Sequence, residues 1–389
     1  MSDANRTILR YVEEVAWGEV PAGPPTFTNL RETGEGLKGT KQTEVSEEIR
    51  SDRQIPGIIR TGIGAEGDLN FELSYASYDP FFLAVLMASA FSASVSVASG
   101  VAVTVAAAAG TFTLGAGTWD NTPSVGEWVR FRGFPTNAGN NGVFKVSAAS
   151  ATVITVSNKD GLVDEAGVTI NAETAKQAVN GVAEKSFSIE REHTDLTNIF
   201  ELYRGLMPAS MSLEIPVDGR ITGSFSFMGK DEQATTATAG DGSPNAANDN
   251  EILSSANNIR WINISHGSVC LFSGTIEVTN NLREIRCAGE LSPHDLGIGR
   301  FAVTGDLELL FQDHTQKSRY LAHTEAGFAV AIQATDGAVI VFEVPSFQMS
   351  DDETVAGGVD TELVESISFE AFMNATEDIT MRIALFDAP

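Results

Sequence analysis

Two cysteines, Cys270 and Cys287, are all that 389 residues contain, too few for a disulfide framework or a thiolate zinc site. Both sit in strand-like runs and are expected as buried free thiols. Histidine is nearly as scarce. His193, His266, His294, His314 and His323 are scattered, with no pair at metal-ligand spacing. Positive charge is also short, with 25 Lys and Arg against 52 Asp and Glu and a formal charge of −27. Ordinary nucleic-acid binding, which sets Lys and Arg against phosphates, is disfavoured by that balance. The longest apolar stretches, Phe81–Phe91 and Val101–Ala109, are too short to span a bilayer. The polar first ten residues hold no secretory hydrophobic segment, and no lipidation signal shows. A soluble chain is expected.

Catalytic motifs are missing too. There is no GxSxG, HExxH, P-loop or EF-hand pattern. Two GxGxxG strings occur, Gly34–Gly39 and Gly62–Gly67. Neither joins a strand to a helix N-terminus, where aligned N–H groups would meet a pyrophosphate, so both are expected as turns. The run Asp351-Asp352-Glu353 is expected as solvated charge in a loop. Glu190 and Glu192 share one side of a strand, but no aromatic sugar platform accompanies them. The expectation is a protein that is not an enzyme and has no cofactor or metal.

What is present is short alternating strands with Gly, Asn and Asp turns, which predict an all-β chain of sandwiches or barrels with one or two short helices. One β-rich unit is written twice. NLRE occurs at Asn29–Glu32 and Asn281–Glu284; a glycine-led strand follows each, Gly67–Leu73 and Gly305–Phe311. Phe187–Glu190 and Phe328–Ala331 open two further comparable stretches, leading to the alternating runs Ile221–Met228 and Glu365–Phe372. Two equivalent surfaces in one chain suit a ring or lattice.

The pattern divides the chain. Residues 1–26 read as an arm without a core of its own, lying against a neighbour. Residues 27–91 with 182–230 form a first unit. Its strand Asp68–Tyr75 alternates, and a helix runs from an Asp79 N-cap and Pro80 to about Phe91. Residues 92–181 are an inserted small β domain, with an Asn140-Asn141-Gly142 turn between strands. Residues 231–251 are a linker, and 252–389 a second unit. Lys38–Glu66 reads as a long loop whose Ile49, Ile55, Ile58, Ile59 and Ile63 favour docking on a partner.

The stretches Ser46–Ile55, Gly67–Leu73 and Tyr78–Pro80, then Lys185–Arg191, Tyr203–Gly205 and Ile221–Gly229, resemble the tail tube proteins of long non-contractile-tailed bacteriophages. The resemblance covers most of 27–91 and 182–230. It implies β-sandwich tube domains whose sheets join into a ring-wide barrel around a DNA-conducting lumen. It also implies a virion-tail protein assembled in the host cytoplasm beside tape measure, tail terminator and tail tip proteins. Because the unit is duplicated, three chains are expected to build a ring of six-fold pseudo-symmetry. Asp68, Asn70, Glu72, Asp306 and Glu308 are expected to line the lumen, which DNA crosses without specific binding. Glu44, Glu47, Glu48, Arg50, Asp52, Arg53 and Arg60 are expected to contact the next ring, with 92–181 on the tube exterior. The alternatives are another tail ring component (a terminator, hub or decoration protein) and a β-rich adhesin.

Overall fold

The computed structural model describes residues 3–359 and 361–389. The chain is mostly strand. It opens with β1 (Thr7–Glu13), β2 (Thr28–Asn29), β3 (Gly34–Glu35), β4 (Lys38–Val45) and β5 (Ile58–Glu72), then helix α1 (Asp79–Val85). Six strands follow: β6 (Ser96–Ala106), β7 (Thr111–Leu114), β8 (Trp128–Arg132), β9 (Gly142–Ala149), β10 (Val153–Val156) and β11 (Glu165–Thr174). Next come β12 (Lys176–Val179), β13 (Phe187–His193), β14 (Phe200–Pro216), β15 (Thr222–Gly229) and β16 (Asp231–Thr235). Helix α2 (Ser255–Asn258) leads to β17 (Ile259–Ile264), β18 (Gly267–Ser268), β19 (Leu271–Thr279), β20 (Arg283–Ile285), β21 (Asp295–Gly297) and β22 (Ala302–Leu310). Helix α3 (Thr315–Leu321) precedes β23 (Ala326–Gln333), β24 (Val339–Ala356), β25 (Leu363–Ala371) and β26 (Arg382–Phe386).

The antiparallel pairings give one continuous run, β4-β5-β15-β14-β19-β22-β25-β24. The second four strands repeat the first. Asp68 lies opposite Ser226 and Asp306 opposite Ser368; Leu69 faces Phe225 and Leu307 faces Ile367. Both long strands, β14 and β24, carry a bulge at the same place, between Pro208 and Ser210 and between Met349 and Asp351. The repeat is therefore one of backbone register, not only of composition.

Each long strand bends out of this run into a second sheet. In the first half that sheet is β2-β1-β13-β14-β16, and in the second β17-β23-β24-β26-β12. Between the layers lies one apolar core, which includes Leu69, Phe71, Phe225, Leu307, Phe342 and Phe369, all under 2% exposed. Phe71 stacks on Phe225 with centroids 4.9 Å apart.

In the second half the outer sheet is buried on both faces. Ile340, Phe342, Ile383 and Leu385 enter the main core, while Val339, Val341, Ala384 and Phe386 join a separate cluster with Trp128 and Val143. Strands covered on both sides read as unbroken apolar runs, which is why Val339–Phe342 and Ile383–Phe386 do not alternate. The cover is a closed barrel, β10-β7-β6-β11-β8-β9, with its own core around Phe112, Phe131 and Phe144. Trp128 of the barrel stacks on Trp261 of β17, 5.3 Å between centroids and 21° between planes. Lys145 sits 2.5 Å from both Glu343 and Glu377, and Arg382 2.8 Å from each of the same carboxylates. Such buried charges hold only while fully paired.

Several expectations are corrected. Residues 7–13 are not an arm for a neighbour; β1 pairs with β13 of its own chain. Buried Glu14 anchors the segment after β1, accepting from the Gly18 and Gly205 amides (2.7 and 2.8 Å) and the Ser186 and Ser188 hydroxyls (both 2.6 Å). The segment read as a linker starts as strand β16. It continues as a strap whose Thr238 hydroxyl and Ala239 amide donate to fully buried Glu190 at 2.8 and 2.7 Å. Polar pairing, not apolar burial, holds it.

Helix α1 is shorter than expected and Tyr78, not Asp79, is its N-cap. Met87 adopts φ 50°, and the freed Leu86 and Met87 carbonyls accept from Gly181 and Ala183, each at 2.8 Å. Burial pushes the Asp79 carboxyl up to about 6, countered by Lys176. Cys270 and Cys287 are exposed, lying just outside strands rather than within them. Gly62–Gly67 is not a turn but part of β5. Gly67 (φ 147°) crosses so close to β3–β4 that a Cβ would meet the Gly36 oxygen at 2.3 Å. The Asn140-Asn141-Gly142 turn does lie between paired strands β8 and β9; it opens with a 3-10 turn at residues 138–140, and the Asn141 Oδ1 accepts from the Gly133 and Phe134 amides.

The two NLRE strings are not equivalent. Asn29 is in β2, paired with β1, whereas Asn281 precedes the small β20–β21 hairpin. Phe328 matches Ile189, not Phe187: each faces the long strand just after a bulge, Ile189 opposite Tyr203 and Phe328 opposite Val344. A two-residue shift keeps the same side chains on the same face, so the alternation survived the misalignment.

Candidate assembly surfaces

The run of strands from β4 to β24 has one buried face and one polar face. On the polar face β5 presents Asp68 and Asn70, and β22 presents Asp306 and Glu308, all exposed. Their neighbours Leu69, Phe71, Leu307 and Leu309 are at most 2% exposed, as period-2 alternation requires. Ser226 donates to Asp68 and Ser368 to Asp306, both at 2.5 Å; Ser273 donates to Glu308 at 2.8 Å. Exposed Glu214, Glu277 and Glu353 extend the acidic surface along β14, β19 and β24. Glu72 differs from the other four expected residues. It is half-buried and ion-paired with Arg220 at the sheet margin. The serines opposite the aspartates were not singled out from sequence, although Ser224, Ser226, Ser366 and Ser368 all sit at alternate positions.

The expected long loop is mostly a β-hairpin. β4 and β5 pair from Lys38–Glu66 out to Val45–Ile58, leaving only 46–57 as the tip. A register shift between Gln42 and Thr43 marks where it leaves the body. Glu44, Glu47, Glu48, Arg50, Asp52, Arg53 and Arg60 are all exposed on it. Arg50 Nη2 bonds Asp52 at 2.9 Å, which holds the Asp52 carboxyl below its ordinary range. Among the described residues this is the tip's own ion pair; Glu44, Glu47, Glu48, Arg53 and Arg60 form none in the chain. Ile49 is 99% exposed, and Ile55, Ile58 and Ile59 are exposed as well. Ile63 lies at the base, where its amide donates to the Leu291 carbonyl of the shorter second-half hairpin at 2.8 Å.

Asp351-Asp352-Glu353 is not a loop but part of β24. Asp352 is buried beside Glu365 and Lys317, and one oxygen of each carboxylate has no partner among the described residues. Burial, then the Asp352 charge, push Glu365 up to about 7, with Lys317 opposing and Asp313 adding. A carboxyl raised in the fold stabilises it most below its unfolded value near 4.5, and that contribution is lost as pH rises through about 7. Glu365→Gln is therefore expected to raise the denaturation midpoint at pH 8 and leave it unchanged at pH 4. Equal midpoints at both values would refute the assignment.

A hairpin thrust into solvent, a sheet with one largely polar face and, among the described residues, no assembled catalytic group describe a structural subunit. The family model for phage tail tube proteins matches residues 4–371, and the chain belongs to that family. It is a non-enzymatic component of the virion tail, of a kind that self-polymerises into tubes. No curated protein matches the sequence.

Proposed function

We propose that the chain is the major tube subunit of a long non-contractile tail and that three copies close each ring. The observation that carries this is the strand-for-strand repeat of β4-β5-β15-β14 in β19-β22-β25-β24. Three chains then supply six equivalent four-stranded units, and joined edges leave no strand exposed. The polar face lines the lumen, so Asp68, Asn70, Asp306 and Glu308 face the passing DNA, with Glu72 at its margin. The hairpin Lys38–Glu66 reaches the adjacent ring. The barrel, covering the outer face of the second-half outer sheet, away from the polar surface, lies outside, and the tape measure, terminator and tip proteins are the remaining partners. The first unit is 27–91 with 182–230, completed by β1 and β16, and the second is 252–389, completed by β12.

Cryo-electron microscopy of the purified protein tests this. Tubes with three chains per ring are expected. Six chains per ring would overturn the stoichiometry, and isolated rings that never stack would favour a terminator or hub.

A further inference from the structure

The seam between the two halves of one chain has an unfilled counterpart. β14 pairs with β19 along Ser210–Pro216, with Met211 opposite Val278, Ser212 opposite Glu277 and Leu213 opposite Ile276. By the repeat, β24 stands where β14 does, Asp351 matching Ser210. β3–β4 stands where β19 does, since Lys38 faces Glu66 and Gly34 faces Asn70 as Glu277 faces Thr304 and Ser273 faces Glu308. Yet among the described residues Asp351–Ala356 pairs only with β25, and Gly34–Thr40 only with β5.

The peptide groups on these two free edges are capped by side chains. The Asp352 amide donates to Asp351 at 2.9 Å, and its carbonyl accepts from Lys317 at 2.7 Å. The Leu37 amide donates to Glu35, its carbonyl accepts from Arg191, and the Gly39 amide donates to Glu232, all at 2.7 Å. Charged caps on edge strands prevent indiscriminate pairing while leaving a replaceable contact. The capped groups, Asp352 against Leu37 and Gly39, are those that the internal seam uses for its ladder, at Met211, Ile276 and Val278.

We propose that Asp351–Ala356 of one copy pairs antiparallel with Gly34–Thr40 of a second copy, Glu353 opposite Lys38, Asp352 opposite Gly39 and Thr354 opposite Leu37. This rests on the tube-subunit reading and names its seam. Assembly exchanges the capping side chains for a main-chain ladder. Glu353 and Lys38 meet as a close, non-hydrogen-bonded pair, about 4.5 Å between Cα atoms. In the free chain, among the described residues, Lys38 ion-pairs only with Glu66 at 3.2 Å and stays 66% exposed.

In a Cys270→Ser, Cys287→Ser background, Lys38→Cys with Glu353→Cys tests the register, because that Cα spacing accepts a disulfide. Mild oxidation of assembled protein should give closed covalent rings on a non-reducing gel. The yield should be at least about tenfold above Lys38→Cys with Asp351→Cys or with Val355→Cys, whose Cα atoms lie roughly two residues, or about 7 Å, out of register. Strongest linkage in a shifted pair, or tubes without the 38–353 linkage, overturns the seam alone. Wild-type protein that never assembles in any salt overturns the tube reading and the seam with it. Should the cysteines impair folding, charge reversal serves. Lys38→Glu or Glu353→Lys alone should weaken assembly several-fold and the two together restore it; failure of the double reversal to restore it counts against the proposal.

Discussion

Replacing residues 46–57 by a tight turn should give a folded subunit that still forms rings and no longer builds long tubes. The tip contributes nothing to the core: Ile49 and Ile55 are exposed and no side chain of residues 46–57 is buried. Folding therefore loses little. Stacking loses much, since fully burying one isoleucine is worth about 1.5–3 kcal/mol, and about 1.4 kcal/mol is a tenfold change in association. Ile49→Ser with Ile55→Ser alone should weaken elongation on the order of a hundredfold or more, read from tube length at fixed concentration. Long tubes from the trimmed variant would show that the hairpin is not the contact between rings.

The second large effect concerns the polar face. Asp68→Lys, Asp306→Lys and Glu308→Lys together should leave tubes intact and slow or stall DNA ejection, most at low salt. All three are exposed, and their loss disturbs only the hydroxyl bonds from Ser226, Ser368 and Ser273. Glu72 is left alone because a lysine there would face Arg220. Carboxylates repel passing phosphates, within a Debye length of about 8 Å at physiological salt. A lysine instead grips the backbone by releasing counterions, each contact steepening the salt dependence by about one unit. Ejection unchanged at 50 mM and 200 mM salt (roughly the range over which such contacts weaken) would place these residues elsewhere.

Sequence alone carried the β class, the duplication, the alternation of Asp68–Leu73 and the exposure of the hairpin tip, because period-2 patterning is local information. It failed where partners are distant. Glu14 reads as one more acid among 52, although Ser186, Ser188 and Gly205 make it a buried anchor. Residues 236–250 have nothing apolar to bury, and Glu190 holds part of the segment by hydrogen bonds invisible to a hydropathy pattern. Asp352 looked solvated since its strand pairing with β25 is separated in sequence. The free edges were illegible for the same reason: an unpaired strand and a paired one have the same composition.

The β14–β19 seam is closed within one polypeptide, and this alters how the protein can evolve. In a subunit with a single unit, one mutation is copied into every seam of a ring. Here a change in β14 leaves its counterpart in β24 untouched. The two have already parted company: Met211, buried in the first half, corresponds to Asp352, and Gly223 to Glu365. One copy has drifted toward permanent apolar packing and the other toward charge. A fused gene can thus specialise half of its joints without the other half having to follow.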